Sequence, residues 1–211
     1  MTRFLPQRLE SILCLGAHAD DIEIGAGGTI LRLLQEYPSA AVYWMVFSAS
    51  GARELEARQS ADLFLEQAKT RRVAIKTFRD GFFPYEGTAI KQAFEVLKDE
   101  IEPDLVLTHA SIDAHQDHRL INELTWNTFR RHTILEYEIP KYDGDLGRPN
   151  VYIPLSEETC QRKIGHLMAA FATQRGKHWF TDETFRAVLR LRGIECGSLY
   201  AEAFFARKIV I

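Results

Sequence analysis

The stretch SILCLGAHADD, residues 11–21, begins as an apolar run and ends in His18, Asp20 and Asp21. A short continuous apolar run is typical of a parallel strand that is buried on both faces. Two carboxylates and an imidazole directly behind such a strand are ligand types that bind a cation. This stretch therefore predicts a buried strand whose carboxyl end opens onto a metal site.

A second cluster of the same kind follows the apolar run 105–107 and reads DAHQDH over residues 113–118. The carboxyl ends of parallel strands meet at one edge of a sheet, so both clusters can contribute to a single site. His18, Asp21 and His118 form a two-histidine, one-carboxylate set, which leaves open positions for water and substrate, as catalytic zinc sites do. Asp20 is then the predicted base for the bound water, and His115 faces the developing oxyanion.

Two other interpretations apply to the first cluster. Aspartate and histidine are common at helix entries, where they cap backbone groups, but two clusters at matching strand ends favour a shared ion. The glycines at 25, 27 and 28 resemble the start of a dinucleotide loop, yet Ile30 stands where G-x-G-x-x-G needs its third glycine. We expect these glycines to allow close packing of a helix against a strand.

The pattern outward from these clusters alternates short β-rich runs with longer helical ones. This order predicts a Rossmann-like α/β fold, with a doubly wound, mostly parallel sheet and helices on both faces. The predicted strands are 11–15, 41–47, 73–78 and 104–108, and the predicted helices are 27–36, 55–69, 90–101, 157–171 and 182–191. We expect one domain over residues 1–211, with a core at 1–135 and a C-terminal cap over the site at 136–211.

Composition excludes several classes of partner. The 211 residues carry 26 basic against 29 acidic side chains, a net charge of −3, which gives no field favouring nucleic acid. The three cysteines show no paired spacing, which favours a reducing, cytoplasmic location. Residues 1–6 lack the apolar stretch of a secretory signal, and no membrane span is expected. A homo-oligomer remains open.

The motifs resemble those of the PIG-L/LmbE-like family of zinc-dependent N-acetylglucosamine deacetylases. That family has an A/P-H-P-D-D loop after its first strand and an H-x-D-H motif after a later one. Here the two motifs read AHADD at 17–21 and HQDH at 115–118. The glycine pair with threonine at 27–29, Asp113, and the ending YAEAF at 200–204 extend the similarity over nearly the whole chain.

The resemblance implies zinc ligands at His18, Asp21 and His118. It implies Asp20 as the general base, and His115, in its protonated form, as a group that stabilises the tetrahedral intermediate. These roles coincide with those predicted from the residues alone. Iron(II) or another divalent metal could occupy a site with these ligands instead of zinc.

Three further residues are candidates for substrate binding. Arg58 is placed at the arginine of the family's R-x-x-E pattern, although Ala61 stands where the glutamate should be. Asp113 precedes the second motif, as is usual in the family. His178, beside Trp179, could form a stacking and hydrogen-bonding wall for a sugar. His109 is predicted to be a hydrogen-bonded structural histidine outside the metal set.

The predicted function is removal of an N-acetyl group from a small N-acetylated amino-sugar conjugate, with nucleotide- and lipid-linked sugars included. The alternative is a zinc-dependent hydratase of an unsaturated carboxylic acid, because activated water does not by itself select an amide. A non-catalytic sugar-binding protein is disfavoured, since both the ligands and the base are present. Either enzyme would use the same metal and Asp20.

Overall fold

A computed structural model describes residues 8–210, so the N-terminal stretch 1–6, for which no secretory signal is expected, lies outside the described residues. Its strands are β1 Ser11–His18, β2 Ala41–Ser48, β3 Thr70–Ile75, β4 Leu105–His109, β5 Thr133–Tyr137, β6 Val151–Leu155 and β7 Tyr200–Phe205. Its helices are α1 Asp21–Glu36, α2 Ala52–Phe64, α3 Gly87–Glu100, α4 Gln116–Phe129, α5 Glu157–Ala170 and α6 Asp182–Cys196. Within residues 8–210, no helix is both long and apolar enough to cross a bilayer.

The strands form one seven-stranded sheet in the order β3-β2-β1-β4-β5-β7-β6. Strands β1 to β5 are parallel, and β7 runs antiparallel between β5 and β6. The chain winds outward from β1 to β3 and then crosses to β4 on the other side of β1. The switch point therefore lies between β1 and β4, the two strands that the predicted clusters follow. The predicted α/β architecture is confirmed.

Strand β1 is buried on both faces, as its apolar run predicts. Ile12 and Cys14 belong to a hydrophobic cluster with residues of α1, α2, α5 and α6, while Leu13 and Leu15 join a second cluster with residues of α3 and α4. Alternate side chains of a strand point to opposite faces of its sheet. The two clusters therefore place helices on both faces and hold the carboxyl end of β1 rigidly.

Helix α1 begins six residues before its predicted start at Gly27, because the glycines lie inside it. A Cβ atom at Gly25 would overlap the ring of Tyr137 on β5, and one at Gly28 would overlap Leu155 on β6. The expected close packing of helix against strand is confirmed. The earlier start also puts Asp21 in the first turn of α1, where the helix dipole favours a carboxylate.

The C-terminal region contains two strands that the sequence pattern did not predict. Strands β6 and β7 extend the main sheet, and helix α5 packs against α1 and α2. These strands escaped prediction because both are short and each carries a residue uncommon in strands, Pro154 in β6 and Glu202 in β7. The loop after β5 supplies Lys141, which contacts Asp113, and the turn after α5 supplies Thr173, which contacts Glu56. The division into a core and a cap stays a prediction.

Candidate metal centre

Three atoms of the predicted metal set lie close together at the switch point. His18 Nδ1 is 3.2 Å from His118 Nε2 and 3.3 Å from Asp21 Oδ2, and His118 Nε2 is 3.5 Å from Asp21 Oδ2. Tetrahedral zinc with ligand bonds near 2.1 Å separates its ligands by about 3.4 Å. The triangle therefore fits one tetrahedral ion, with its fourth position open.

Local structure brings these ligands together. His18 ends β1, Asp21 opens α1, and His118 lies in the first turn of α4. The His18 backbone N–H donates to Asp21 Oδ2 at 2.6 Å, which closes the turn between the strand and the helix. Because two helix N-termini face the same point, their dipoles stabilise the carboxylates there.

Asp113 holds the metal ligand His118. Its Oδ2 is 2.9 Å from His118 Nδ1, and its Oδ1 is 3.0 Å from Lys141 Nζ. Although burial opposes ionisation, the hydrogen bond to His118 keeps the pKa of Asp113 below its usual range. Carboxylates that bond the second ring nitrogen of a ligand histidine fix its orientation. Asp113 therefore orients the ring of His118, and its predicted contact with substrate stays a prediction.

His18 is oriented in the same way by two carboxylates. Its Nε2 lies 3.2 Å from Asp117 Oδ2 and 3.0 Å from Asp80 Oδ1. Asp117 in turn accepts the N–H of Gly81 at 2.7 Å and that of Phe83 at 3.1 Å. Burial lowers the pKa of His18, but its hydrogen bonds to carboxylates hold that pKa well above its ordinary value.

Asp20 lies beside the triangle but outside it. Its carboxylate is buried and pairs with Arg53, whose Nη2 is 2.9 Å from Asp20 Oδ1. Burial raises the pKa of Asp20, Arg53 opposes that rise, and the charge of Asp21 adds to it. A carboxyl group with a raised pKa beside a metal centre is suited to take and return a proton.

His115 caps helix α4 with its ring. Its Nδ1 accepts the backbone N–H of Asp117 at 3.2 Å, so a neutral His115 carries its proton on Nε2. Burial and the charges of His118 and His18 lower the pKa of His115. These contacts favour the neutral ring of His115, and its predicted role as a protonated group at the oxyanion stays a prediction.

His109 is fully buried against this centre. Its Nε2 lies 2.9 Å from the Ala17 backbone N–H, which it accepts, and 3.3 Å from Asp21 Oδ2. Its ring stacks on His118 with 3.9 Å between centroids. Three sets of side chains also lie close enough together to hold an ion: His18 with His115 and His118; His18 with Asp80, His115 and Asp117; and Asp21 with His109 and His118. The bond from Ala17 occupies His109 Nε2, which favours a structural role.

Comparison with known proteins decides the family. The family described as PIG-L: GlcNAc-PI de-N-acetylase matches residues 13–129, more than half of the chain. The chain belongs to the PIG-L family. The matched segment runs from β1 through α4 and includes every residue of the metal triangle, together with Asp20 and His115.

Relatives of this PIG-L chain include enzymes of two reaction types. The uncharacterized deacetylase YaiS of Escherichia coli K12 is 29% identical over 174 residues, covering 75% of this chain and 89% of YaiS. The N,N'-diacetylchitobiose deacetylase of Pyrococcus horikoshii superposes with a TM-score of 0.68 at 21% identity, covering 95% and 84% of the two chains. GalB, the 4-carboxy-2-hydroxymuconate hydratase of Pseudomonas putida KT2440, has a TM-score of 0.76 at 17% identity, covering 96% and 98%. These two superpositions show a shared fold.

Arg53 is the arginine that contacts Asp20 in this PIG-L chain, and the substrate contact predicted for Arg58 stays a prediction. Arg58 is half exposed, and its Nη2 is 2.7 Å from Glu54 Oε1 on the outer face of α2. Arg53 and Glu56 have the R-x-x-E spacing, and Glu56 accepts the Thr173 backbone N–H at 2.8 Å. The R-x-x-E spacing is present in the sequence five residues before Arg58, but only the fold shows that Arg53 is the arginine that contacts Asp20.

Two loops carry exposed aromatic rings. One loop contacts Asp113 and the other contacts Asp117. Tyr142 and His178 lie with ring centroids 5.1 Å apart, and Tyr142 follows Lys141, which binds Asp113. Phe82 belongs to the loop that holds Asp117 and lies beneath the guanidinium of Arg79. The predicted wall at His178 is an exposed pair of rings, His178 and Tyr142, of which Tyr142 is next to Lys141 in the chain.

Proposed function

We propose that this PIG-L protein is a metal-dependent N-deacetylase that releases acetate from an N-acetylated amino-sugar conjugate. The observation that carries the proposal is the triangle of His18, Asp21 and His118 with the buried carboxylate of Asp20 directly beside it. Its spacing suits zinc, and iron(II) accepts the same ligand types. A zinc ion in the triangle would polarise the amide carbonyl and make water more acidic.

Asp20 acts as the base in this proposal. It takes a proton from the attacking water, with Arg53 holding its carboxylate in place. Because burial favours the neutral carboxylic acid, Asp20 then holds that proton until the tetrahedral intermediate collapses. The proton passes to the leaving nitrogen, so one residue serves as base and then as acid.

His115 stabilises the oxyanion as a neutral donor. Its Nδ1 accepts the backbone N–H of Asp117, so a neutral ring offers its Nε2–H as the donor. A fixed donor aimed at developing negative charge costs little reorganisation during the reaction. Loss of such a donor typically costs about a hundredfold to a thousandfold in rate.

The surroundings of the centre suit a small conjugate with both polar and apolar surface. Arg53 offers a guanidinium to sugar hydroxyls, and the rings of Tyr142, His178 and Phe82 offer faces for stacking. Nucleotide- and lipid-linked sugars fall within this class. All three cysteines are free, which supports a place in the reducing cytoplasm.

Hydration of an unsaturated carboxylic acid is the second candidate. Its specific support is the shared fold with the hydratase GalB over nearly the whole of both chains. The same centre and Asp20 could add water to a double bond. Family membership and the deacetylase relative YaiS favour the amide reaction.

Mass spectrometry of defined substrates tests the proposal. Zinc-loaded protein is incubated with N-acetylglucosamine, its chitobiose and nucleotide-linked forms, and a set of unsaturated carboxylic acids. Loss of an acetyl group from one sugar supports the deacetylase. Gain of water by an unsaturated acid, with every sugar intact, would replace it with the hydratase. Asp20→Asn protein loaded with the same metal is the control.

A further inference from the structure

Two motifs left without a role in the chemistry meet inside the protein. Glu202, in the ending at 200–204, accepts the backbone N–H of Gly28 at 2.8 Å with Oε1 and that of Thr29 at 2.6 Å with Oε2. Gly28 and Thr29 lie in the middle of α1, and Glu202 is 3% exposed. A carboxylate of β7 therefore binds the backbone of the helix that begins at the metal centre.

Lys163 of α5 completes this contact. Its Nζ lies 2.6 Å from Glu202 Oε1 and donates at 2.6 Å to the carbonyl of Ile24 in α1. The side chains of Lys163 and Glu202 are 2% and 3% exposed. The pair therefore links three elements, and both of its members bind the backbone of α1.

This link is one hydrogen bond away from the reacting residues. The N–H of Ile24 donates to the carbonyl of Asp20 at 3.0 Å, and the carbonyl of Ile24 receives Lys163. The side chain of Asp20 makes no capping bond to α1, since its carboxylate meets Arg53 instead. The first turn of α1 is thus held by the backbone hydrogen bonds of Ile24 and not by an N-cap side chain.

Gly28 makes this approach of the carboxylate possible. A Cβ atom there would overlap Leu155 and stand 3.0 Å from Glu202 Oε1. Any larger residue would push β6 and the carboxylate away from the helix. The glycine of α1 and the glutamate of β7 are therefore parts of one arrangement.

A buried ion pair is rarely retained for stability alone. Its two charges lose hydration, and apolar residues of similar volume often give equal or greater stability. This pair adds directional hydrogen bonds to specific backbone atoms of α1. We propose that Lys163 and Glu202 are positioning residues that set the place of α1, and so hold Asp20 and Asp21 at the metal centre. This inference rests on the metal-dependent function proposed above.

Matched glutamine variants test the inference. Glu202→Gln keeps the shape of the side chain and removes its charge. Glu138→Gln does the same in a second buried pair, in which Glu138 lies 2.6 Å and 2.8 Å from Arg192 and joins α6 to the end of β5. Zinc affinity is measured by chelator competition, ligand geometry by the visible absorption of the cobalt-loaded protein, and stability by thermal unfolding of the metal-free protein.

We expect Glu202→Gln to weaken zinc binding by about threefold to tenfold, below the range for a residue in direct contact with a metal ligand, and to alter the cobalt spectrum. Glu138→Gln should lower the unfolding temperature while leaving zinc affinity and the spectrum at wild-type values. Lys163→Arg, which keeps the charge, should recover part of the affinity that Lys163→Met loses.

Unchanged zinc affinity and an unchanged spectrum in Glu202→Gln would overturn the inference, as would an equal loss in Glu138→Gln. If Glu202→Gln does not fold, Glu202→Asp serves, because it keeps the negative charge and withdraws the carboxylate from α1 and Lys163 by one methylene. The same decrease in affinity is expected for it, and wild-type affinity would again overturn the inference. A wild-type protein that binds no divalent metal would refute the proposed function itself.

Discussion

The two parts of the chain on either side of residue 135 contribute differently to the site. The first part supplies the triangle and Asp20 from two strand ends, within motifs of a few residues. The second part supplies Lys141 from a loop, Lys163 from α5 and Glu202 from β7, whose contacts reach Asp113 and the backbone of α1. The chemistry is thus local in sequence, whereas its positioning depends on long-range contacts.

The largest test of this contrast is removal of a ligand. His118→Ala should weaken zinc binding by more than about a hundredfold, since loss of a residue that only orients a ligand already costs about tenfold to a hundredfold. Deacetylation should disappear together with the metal. Chelator competition and product assays on the same preparation measure both effects. A variant that keeps tight zinc would show that the metal lies elsewhere.

Removal of the base should separate chemistry from metal binding. Asp20→Asn should retain zinc at near wild-type affinity and lose about a hundredfold to ten-thousandfold in kcat, the usual contribution of a general base. Metal content by elemental analysis and kcat for the preferred substrate check this expectation. Full turnover in this variant would remove Asp20 from the mechanism.

The pH profile tests the pairing of Arg53 with Asp20. Burial raises the pKa of Asp20 and Arg53 opposes that rise, so Arg53→Met should raise the pKa further. Asp20 would then stay protonated up to a higher pH. The acid limb of the kcat/KM profile should therefore move to higher pH, and the plateau value of kcat/KM should fall by about tenfold. Arg58→Met is the matched control and should leave the profile unchanged. An acid limb that stays in place would disprove the electrostatic role of Arg53.

The smallest effect is expected at Lys141, which acts on the ligand His118 only through Asp113. Lys141→Met should weaken zinc binding by less than about tenfold, below the range for a residue in direct contact with a ligand. Lys98→Met, on the exposed face of α3, should have no effect on zinc binding. Titration of both proteins with zinc in a competing chelator gives the comparison. A loss as large as that of His118→Ala would place Lys141 nearer the chemistry than the contacts indicate.

Much of the site could be predicted because its residues follow buried strands. The apolar runs of β1 and β4 specify strands, and residues directly behind parallel strands must share one edge of the sheet. Asp80 was missed because nothing in its local sequence separates it from other surface charges. Arg53 was missed although its R-x-x-E spacing with Glu56 is present in the sequence, because that spacing does not show which arginine of α2 meets Asp20.

The sequence by itself determined the α/β class, the switch point and the residues able to bind a metal, because periodicity and motif spacing are local properties. Only the tertiary structure shows that Asp113 bonds the ring of His118, that His115 Nδ1 accepts the N–H of Asp117, and that Glu202 binds the backbone of α1. Those contacts depend on distances between residues as far apart as 28 and 202. Such distances are set by packing of the whole sheet, which no short segment encodes.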